Sequence, residues 1–153
     1  MPRSRAFFDF FVSAVHENEC VTSCHRCLRE FGNMAHHPLL DWRLGLDMIR
    51  LALDPNAQID LAYSWWGRLM DRTARPFFEG LNLTQVSLGG LVAGLNTSTN
   101  EAVILTHPLW DRNPSNFRPE VASAFAAAER RGMTPLAYSV FRAVRFPYEY
   151  KEA

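Results

Sequence analysis

Apolar and polar positions along the chain follow a helical period in the first half and a strand-like pattern in the second. From Ser4 to Asn18, apolar residues at Phe7, Phe8, Phe11, Ala14 and Val15 recur close to helical spacing. A polar break at Glu17, Asn18 and Glu19 follows. Leu28 to Phe31 reads as a short helical turn stopped by Gly32-Asn33. Pro38 then opens a helix running to about Leu53. Its apolar stripe is Leu39, Leu40, Leu44, Met48, Ile49, Leu51 and Leu53, with Asp41, Arg43, Asp47 and Arg50 mostly outside. Asp54-Pro55-Asn56 ends it. A further helix covers Leu61 to Ala74 and stops before Pro76, because a residue preceding proline is pushed out of helical geometry.

Beyond Leu81 the texture changes. Thr84 to Leu95 and Ala102 to Thr106 read as strands joined by the polar turn Asn96-Thr97-Ser98-Thr99-Asn100. Glu120 to Arg131 is an alanine-rich helix ending at Gly132, and Pro135 to Phe141 is a last strand. The expected class is α+β: N-terminal helices carrying a zinc-binding loop, then a small strand–strand–helix–strand layer. The corresponding division is a helical zinc-binding module over 1–80 and a small α/β C-terminal subdomain over 81–153 packed on it.

Charge changes this picture little, but the choice of cation does. The formal net charge over 153 residues is zero, so no global field draws the protein to nucleic acid. Lys151 is the only lysine, and it lies in the terminal tail. A Walker-type phosphate loop, a Schiff base and a carboxylate-plus-lysine nuclease site are thereby excluded. The N-terminal run Phe7, Phe8, Asp9, Phe10, Phe11 is broken by Asp9 and Ser13, unlike a signal peptide, and no stretch is long enough to span a bilayer. Three cysteines packed into eight residues suit a reducing cytoplasm and metal binding better than disulfides.

Those cysteines carry the chemistry. Cys20, Cys24 and Cys27 form a C-x-x-x-C-x-x-C cluster, whose turn aims three sulfurs at one point. Zinc takes four thiolate or imidazole ligands in a structural site, so a fourth is needed. The candidates are His16, one helical turn before Cys20, together with His25, His36 and His37. His25 sits inside the cluster, where ring geometry is awkward. His37 precedes Pro38 and reads first as a cap of the following helix or as packing beside the zinc loop, with metal ligation as its second reading. Three metal-free cysteines, a redox Cys24-His25-Arg26-Cys27 pair and an iron–sulfur cluster are the alternatives.

Other residues admit two readings each. Arg68, Arg72 and Arg75 recur at near-helical spacing, as a solvated face or as a strip that tracks phosphates. Trp65, Trp66, Phe77 and Phe78 are core residues or a platform for unpaired bases. His107, with Asp111 four residues on, follows a strand and supports the competing enzymatic reading, a small metal-dependent nuclease-like domain in the C-terminal half.

The segment Cys20–Trp42, CVTSCHRCLREFGNMAHHPLLDW, resembles the cysteine-rich segment of the MZB (mitomycin-repair zinc-binding) domain. The matching positions are Cys20, Cys24, Cys27, Leu28, Arg29, Asn33, His37, Leu39, Leu40 and Asp41. A weaker likeness covers His107-Pro108-Leu109-Trp110 and Phe141 to Pro147. The resemblance implies a zinc-binding accessory module of a DEAD/DEAH-type DNA helicase system, in DNA repair or phage defence. Its partners would be a helicase motor domain or subunit and, weakly or through that partner, DNA. The family uses four cysteines, three of which are matched here; either the chain is the truncated end of a larger gene that carries the fourth, or the fourth ligand comes from a histidine or from a partner. Phosphate-loop and DEAD/DEAH motifs are absent from these 153 residues, so no motor activity, and no enzymatic activity, is expected of them.

Overall fold

In a computed structural model, residues 2–152 are described, with the side chains of 2–5, 7, 64, 151 and 152 outside the described set. The apolar position expected at Phe7 and the role of Lys151 therefore lie outside it. The chain separates between Leu69 and Met70 into two compact units. The α+β expectation holds: helices and a cysteine–histidine cluster come early, and a mixed four-stranded sheet follows. No helix among the described residues is long and apolar enough to cross a membrane.

In the first unit, the helix expected over Ser4–Asn18 is two helices, α1 (Pro2–Phe11) and α2 (Ala14–Glu19). Ser13 causes the break: its backbone is extended, and its hydroxyl accepts the His16 N–H at 3.2 Å, capping α2. The cysteine loop follows, then a 3₁₀ segment, Phe31–Leu39, which contains Pro38. The long amphipathic helix α3 begins at Trp42, later than expected, and runs to Leu53. Asp41 sets that start, because its carboxylate accepts the backbone N–H groups of Arg43 and Leu44. Phe11, Cys20, Trp42 and Leu46 form the buried core here, with Phe10, Val12, Cys24, Cys27, Leu28 and Trp65 packed against it.

Helix α4 (Ser64–Gly80) crosses the boundary and continues through Pro76, contrary to the stop expected there. A proline inside a helix costs about 3 kcal/mol. The next two residues, Phe77 and Phe78, are both buried, and burying each phenylalanine contributes about 1.5–3 kcal/mol. The gain exceeds the penalty.

The second unit is built on β1 (Thr84–Leu88), β2 (Leu91–Asn96), β3 (Glu101–Thr106) and β4 (Thr134–Ser139), in that spatial order. The first three form an antiparallel meander, and β4 returns parallel to β3 after the crossover helix α5 (Pro119–Glu129). The single strand expected over Thr84–Leu95 is thus a hairpin. Gly89 and Gly90, at φ of 55° and 88°, make the two-residue turn that positive-φ residues favour. A side chain at Gly89 would also collide with the Ala124 backbone of α5. The polar turn expected at Asn96–Asn100 is present, and Asn96 Oδ1 accepts the N–H groups of Ser98 and Thr99. Ser139 ends β4 and caps a short helix, α6 (Val140–Arg145), where a strand was expected to continue.

β3 is buried at every position from Ala102 to Thr106, so both of its faces are covered. α5 lies against all four strands. Gly94 of β2 seats the fully buried Phe78 ring, and a Cβ at that position would overlap the ring and lie 2.9 Å from Leu83 Cβ. Gly94→Ala should lower the stability of the second unit by about 1–3 kcal/mol through overpacking. Gly80→Ala, with nothing within 4 Å of the added carbon, should leave it unchanged or slightly higher. Urea unfolding followed by near-ultraviolet circular dichroism checks both.

Candidate metal centre

Four side chains converge in the first unit. His16, Cys20, Cys24 and Cys27 place one ligand atom each within 4.8 Å of all the others. Among the described residues this is the group that could hold a metal ion, and it comprises the three cysteines of the sequence motif plus His16. Residues on α2 and the following loop build it. His16 lies in the middle of α2, and the Cys20 N–H closes that helix onto the His16 carbonyl at 2.8 Å. The loop then folds back so that Cys27 follows Cys24 in a tight turn, with the Cys27 N–H on the Cys24 carbonyl at 3.1 Å.

The separations have the dimensions of a tetrahedral ligand set. With bonds of about 2.3 Å to sulfur and about 2.0 Å to nitrogen, a tetrahedron spaces sulfurs by about 3.8 Å and sulfur from nitrogen by about 3.5 Å. Cys20 Sγ and Cys27 Sγ are 3.8 Å apart, and Cys24 Sγ lies 3.7 Å from His16 Nε2. The imidazole is oriented from behind, since its Nδ1 sits 3.0 Å from the Phe11 carbonyl. A carbonyl can only accept, so Nδ1 carries the proton and Nε2 presents its lone pair to the sulfurs. Phe10, Phe11 and Trp42 surround the ring at centroid distances of 4.7, 5.5 and 5.2 Å.

Without a cation the thiols repel ionisation unequally. Burial, followed by the neighbouring Cys27, pushes the Cys20 thiol far above its ordinary range. Burial also raises Cys27, against the opposing pull of the Cys24 backbone N–H, which donates to its sulfur at 3.0 Å. At Cys24 burial acts upward too, but the Arg26 backbone N–H and hydrogen bonds with the other two thiols outweigh it, and its pKa falls. A bound divalent cation would offset the cost of ionising all three.

The surrounding scaffold depends on Arg43, which the pattern of α3 placed outside the core. Arg43 and Glu17 are each only 1% exposed and are paired at 3.8 Å. The Arg43 guanidinium donates to the Val21 carbonyl at 2.6 Å and to the Trp65 carbonyl at 3.1 Å, and it lies 4.3 Å over the Trp42 ring. Glu17 also pairs with Arg68. Trp42 joins the same assembly: its indole N–H donates to the Cys20 carbonyl at 3.1 Å, and its backbone N–H to Thr22 at 2.9 Å. One arginine thus ties the cysteine loop to α2, α3 and the start of α4. No spacing rule in the sequence signals it, because Arg43 and Glu17 are individually ordinary helix residues.

The other candidates are placed as follows. His37 is outside the four-residue group; its Nε2 lies 2.8 Å from Asn33 Oδ1 and 3.0 Å from the Glu30 carbonyl, steadying the 3₁₀ segment. His25 and His36 are exposed and also outside it. Arg29 donates to Ser23 Oγ at 2.9 Å, and Asp41 caps α3. Arg68 pairs with Glu17, and Arg75 pairs with Glu79 at 2.7 Å. Trp66, Phe77 and Phe78 are buried, with the Trp66 indole on Asp47 at 2.6 Å, so these three serve as core. Trp65 is half-buried and stacks on Tyr63. His107 is buried and its Nδ1 accepts the Leu109 N–H at 3.1 Å. Asp111 accepts from the Asn113 backbone and the Asn116 side chain, which hold its carboxyl below the usual range.

No family model matches the chain, and no curated protein or solved structure matches it.

Arg43→Ala should cost about 2–4 kcal/mol, because it removes one of the two arginines that pair with the buried Glu17 carboxylate and takes a donor from the Val21 and Trp65 carbonyls. Arg43→Lys should recover only part of that, since a single ammonium does not span the same acceptors. Chemical denaturation of the reduced protein measures both. A loss below about 1 kcal/mol for Arg43→Ala would contradict the role assigned to this residue.

Proposed function

We propose that the chain is a zinc-binding accessory module of a DEAD/DEAH-type DNA helicase system, acting in the cytoplasm in DNA repair or phage defence. Motor activity would reside in a partner polypeptide. The observation that carries the reading is the convergence of His16 with the three cysteines at separations suited to one tetrahedral ion. Three sulfurs and one imidazole nitrogen are a donor set that zinc favours in closed structural sites. The compactness of the group favours one ion over an iron–sulfur cluster, whose own width would separate the cysteines further. A fixed His16 tautomer and a Cys24 N–H on the Cys27 sulfur are the supporting contacts that such ligands need.

The helicase part of the reading rests on the resemblance over Cys20–Trp42. Supporting it, the motif residues beyond the cysteines hold one another around the loop. Arg29 binds Ser23, Asn33 and His37 pair, Asp41 caps α3, and Trp42 closes on Cys20. The segment is thus a folding unit with a reason for each of these residues. In the bound state zinc supplies cohesion, not reactivity: all four donors would be protein atoms, leaving no position for a substrate. DNA contact is assigned to the arginines of α4, Arg68, Arg72 and Arg75. Arg75 sits in an exposed ion pair that a phosphate can replace at little cost.

Reduced, purified protein should contain one zinc per chain by elemental analysis, lost in Cys24→Ser and in His16→Ala. Metal-free protein after careful reduction would contradict the zinc reading. Affinity should fall as pH is lowered, because each thiol must give up its proton to bind; titration calorimetry in two buffers reads the protons released. For the partner, co-expression with a DEAD/DEAH-type motor from the same source should give a complex that survives gel filtration, and Cys24→Ser should abolish it. Separate elution of the zinc-loaded chain would count against the helicase assignment. For DNA, Arg72→Ala with Arg75→Ala should weaken binding to single strands and flatten its salt dependence by about 0.7 per lost phosphate contact.

A further inference from the structure

The three sulfurs of the centre differ in placement. Cys20 Sγ and Cys27 Sγ face each other at 3.8 Å, and Cys24 Sγ, which also hydrogen-bonds with both of them, lies 3.7 Å from His16 Nε2. Cys20 is buried at the floor of the site, while Cys24 and Cys27 are both half-buried and so partly open to small solutes. A disulfide requires sulfurs at about 2.05 Å. The facing pair needs to close by less than the width of one atom, which modest side-chain rotation within a turn can supply.

Resting on the metal reading above, we propose that the centre is also a redox switch, in which a peroxide-class oxidant joins Cys20 to Cys27 and withdraws two of the four donors. In the metal-bound centre all three sulfurs would be deprotonated, and the half-buried Cys27 thiolate attacks one peroxide oxygen. The O–O bond breaks, one oxygen stays on sulfur as sulfenic acid, and the other leaves as hydroxide. The Cys20 thiolate then attacks the Cys27 sulfur and displaces the second hydroxide as the S–S bond forms. The two sulfurs lose two electrons together, and the two peroxide oxygens accept them and end as water after protonation. Only His16 and Cys24 then remain as donors, too few to retain zinc against a chelator. A thiol reductant reverses the change by exchange.

Two features make this pair the outcome and not a general oxidation of the loop. The resolving thiol is already in place beside the oxidised one, so the sulfenic acid is captured before a second oxidant arrives. Cys20 also belongs to the apolar core of the unit, where Trp42 packs and donates to its carbonyl, and Cys27 packs against that core. Oxidation therefore acts directly on the packing that organises α1, α2 and α3.

The experiment treats zinc-loaded, full-length protein with low equivalents of hydrogen peroxide. Zinc release is followed with a chromogenic chelator, and the cysteines are mapped by mass spectrometry after alkylation of free thiols. The expected result is stoichiometric zinc release, loss of two hydrogens per chain, a Cys20–Cys27 cross-link with Cys24 alkylated, and recovery with dithiothreitol. Cys24→Ser should still form the cross-link and Cys20→Ser should not; since masses are read on the intact chain, neither variant needs to hold zinc. Cys24 found in the disulfide, sulfinic acid without a cross-link, or zinc retained after cross-linking would each overturn the proposal. Reduced protein that never binds zinc would overturn the metal reading instead, and cross-link mapping on that protein would still decide the pairing.

Discussion

Three thiols and an imidazole nitrogen confined within 4.8 Å of one another define the first unit of this protein. Such a group is costly without a cation. Burial raises the Cys20 and Cys27 thiols, so neither ionises readily on its own, yet their sulfurs occupy space that apolar side chains would otherwise fill. A bound divalent ion would turn this cost into cohesion, since binding free energy at a site absent from the unfolded chain is folding free energy, on the order of 10 kcal/mol for zinc modules. The buried core around the cluster is small, and large apolar residues such as Phe31 and Leu53 stay 89% and 82% exposed. A unit of this size would gain stability from a cross-linking ion.

The second constraint is the buried Arg43–Glu17 pair. Ion pairs inside proteins seldom stabilise relative to apolar packing, because both charges lose water. What this pair supplies is position. Glu17 follows His16 of the cluster directly on α2, Arg43 follows Trp42 on α3, and the guanidinium reaches the carbonyl of Val21, beside Cys20 of the cluster. The cysteine–histidine cluster and the charged pair therefore bear on the same short stretch from two sides.

Much of this was legible in the residues, and where it was not the reasons are physical. Cysteine spacing and the position of His16 one turn before Cys20 pointed to the cluster directly, because metal ligation imposes spacing that packing does not. The polar run at Asn96–Asn100 marked its turn for the same reason: few other residues suit that backbone. The Gly89-Gly90 hairpin was passed over because strong apolar residues flank it on both sides and read as one continuous strand. Pro76 misled because local propensity was weighed without the burial of Phe77 and Phe78 that overrides it. Arg43 and Glu17 could not be recognised, since burial of a charge is decided by distant segments. His37 reads from sequence first as a local cap or packing residue and second as a ligand, and its contacts with Asn33 and Glu30 accord with the first.

The central claim is that His16 completes a closed site with the three cysteines. X-ray absorption at the zinc edge tests it most directly, because it counts donors by element and distance. The expected spectrum has three sulfurs at about 2.3 Å and one imidazole nitrogen at about 2.0 Å, and the imidazole scattering disappears in His16→Ala. Imidazole scattering that persists in His16→Ala, or fewer than three sulfurs in the native chain, would contradict the account.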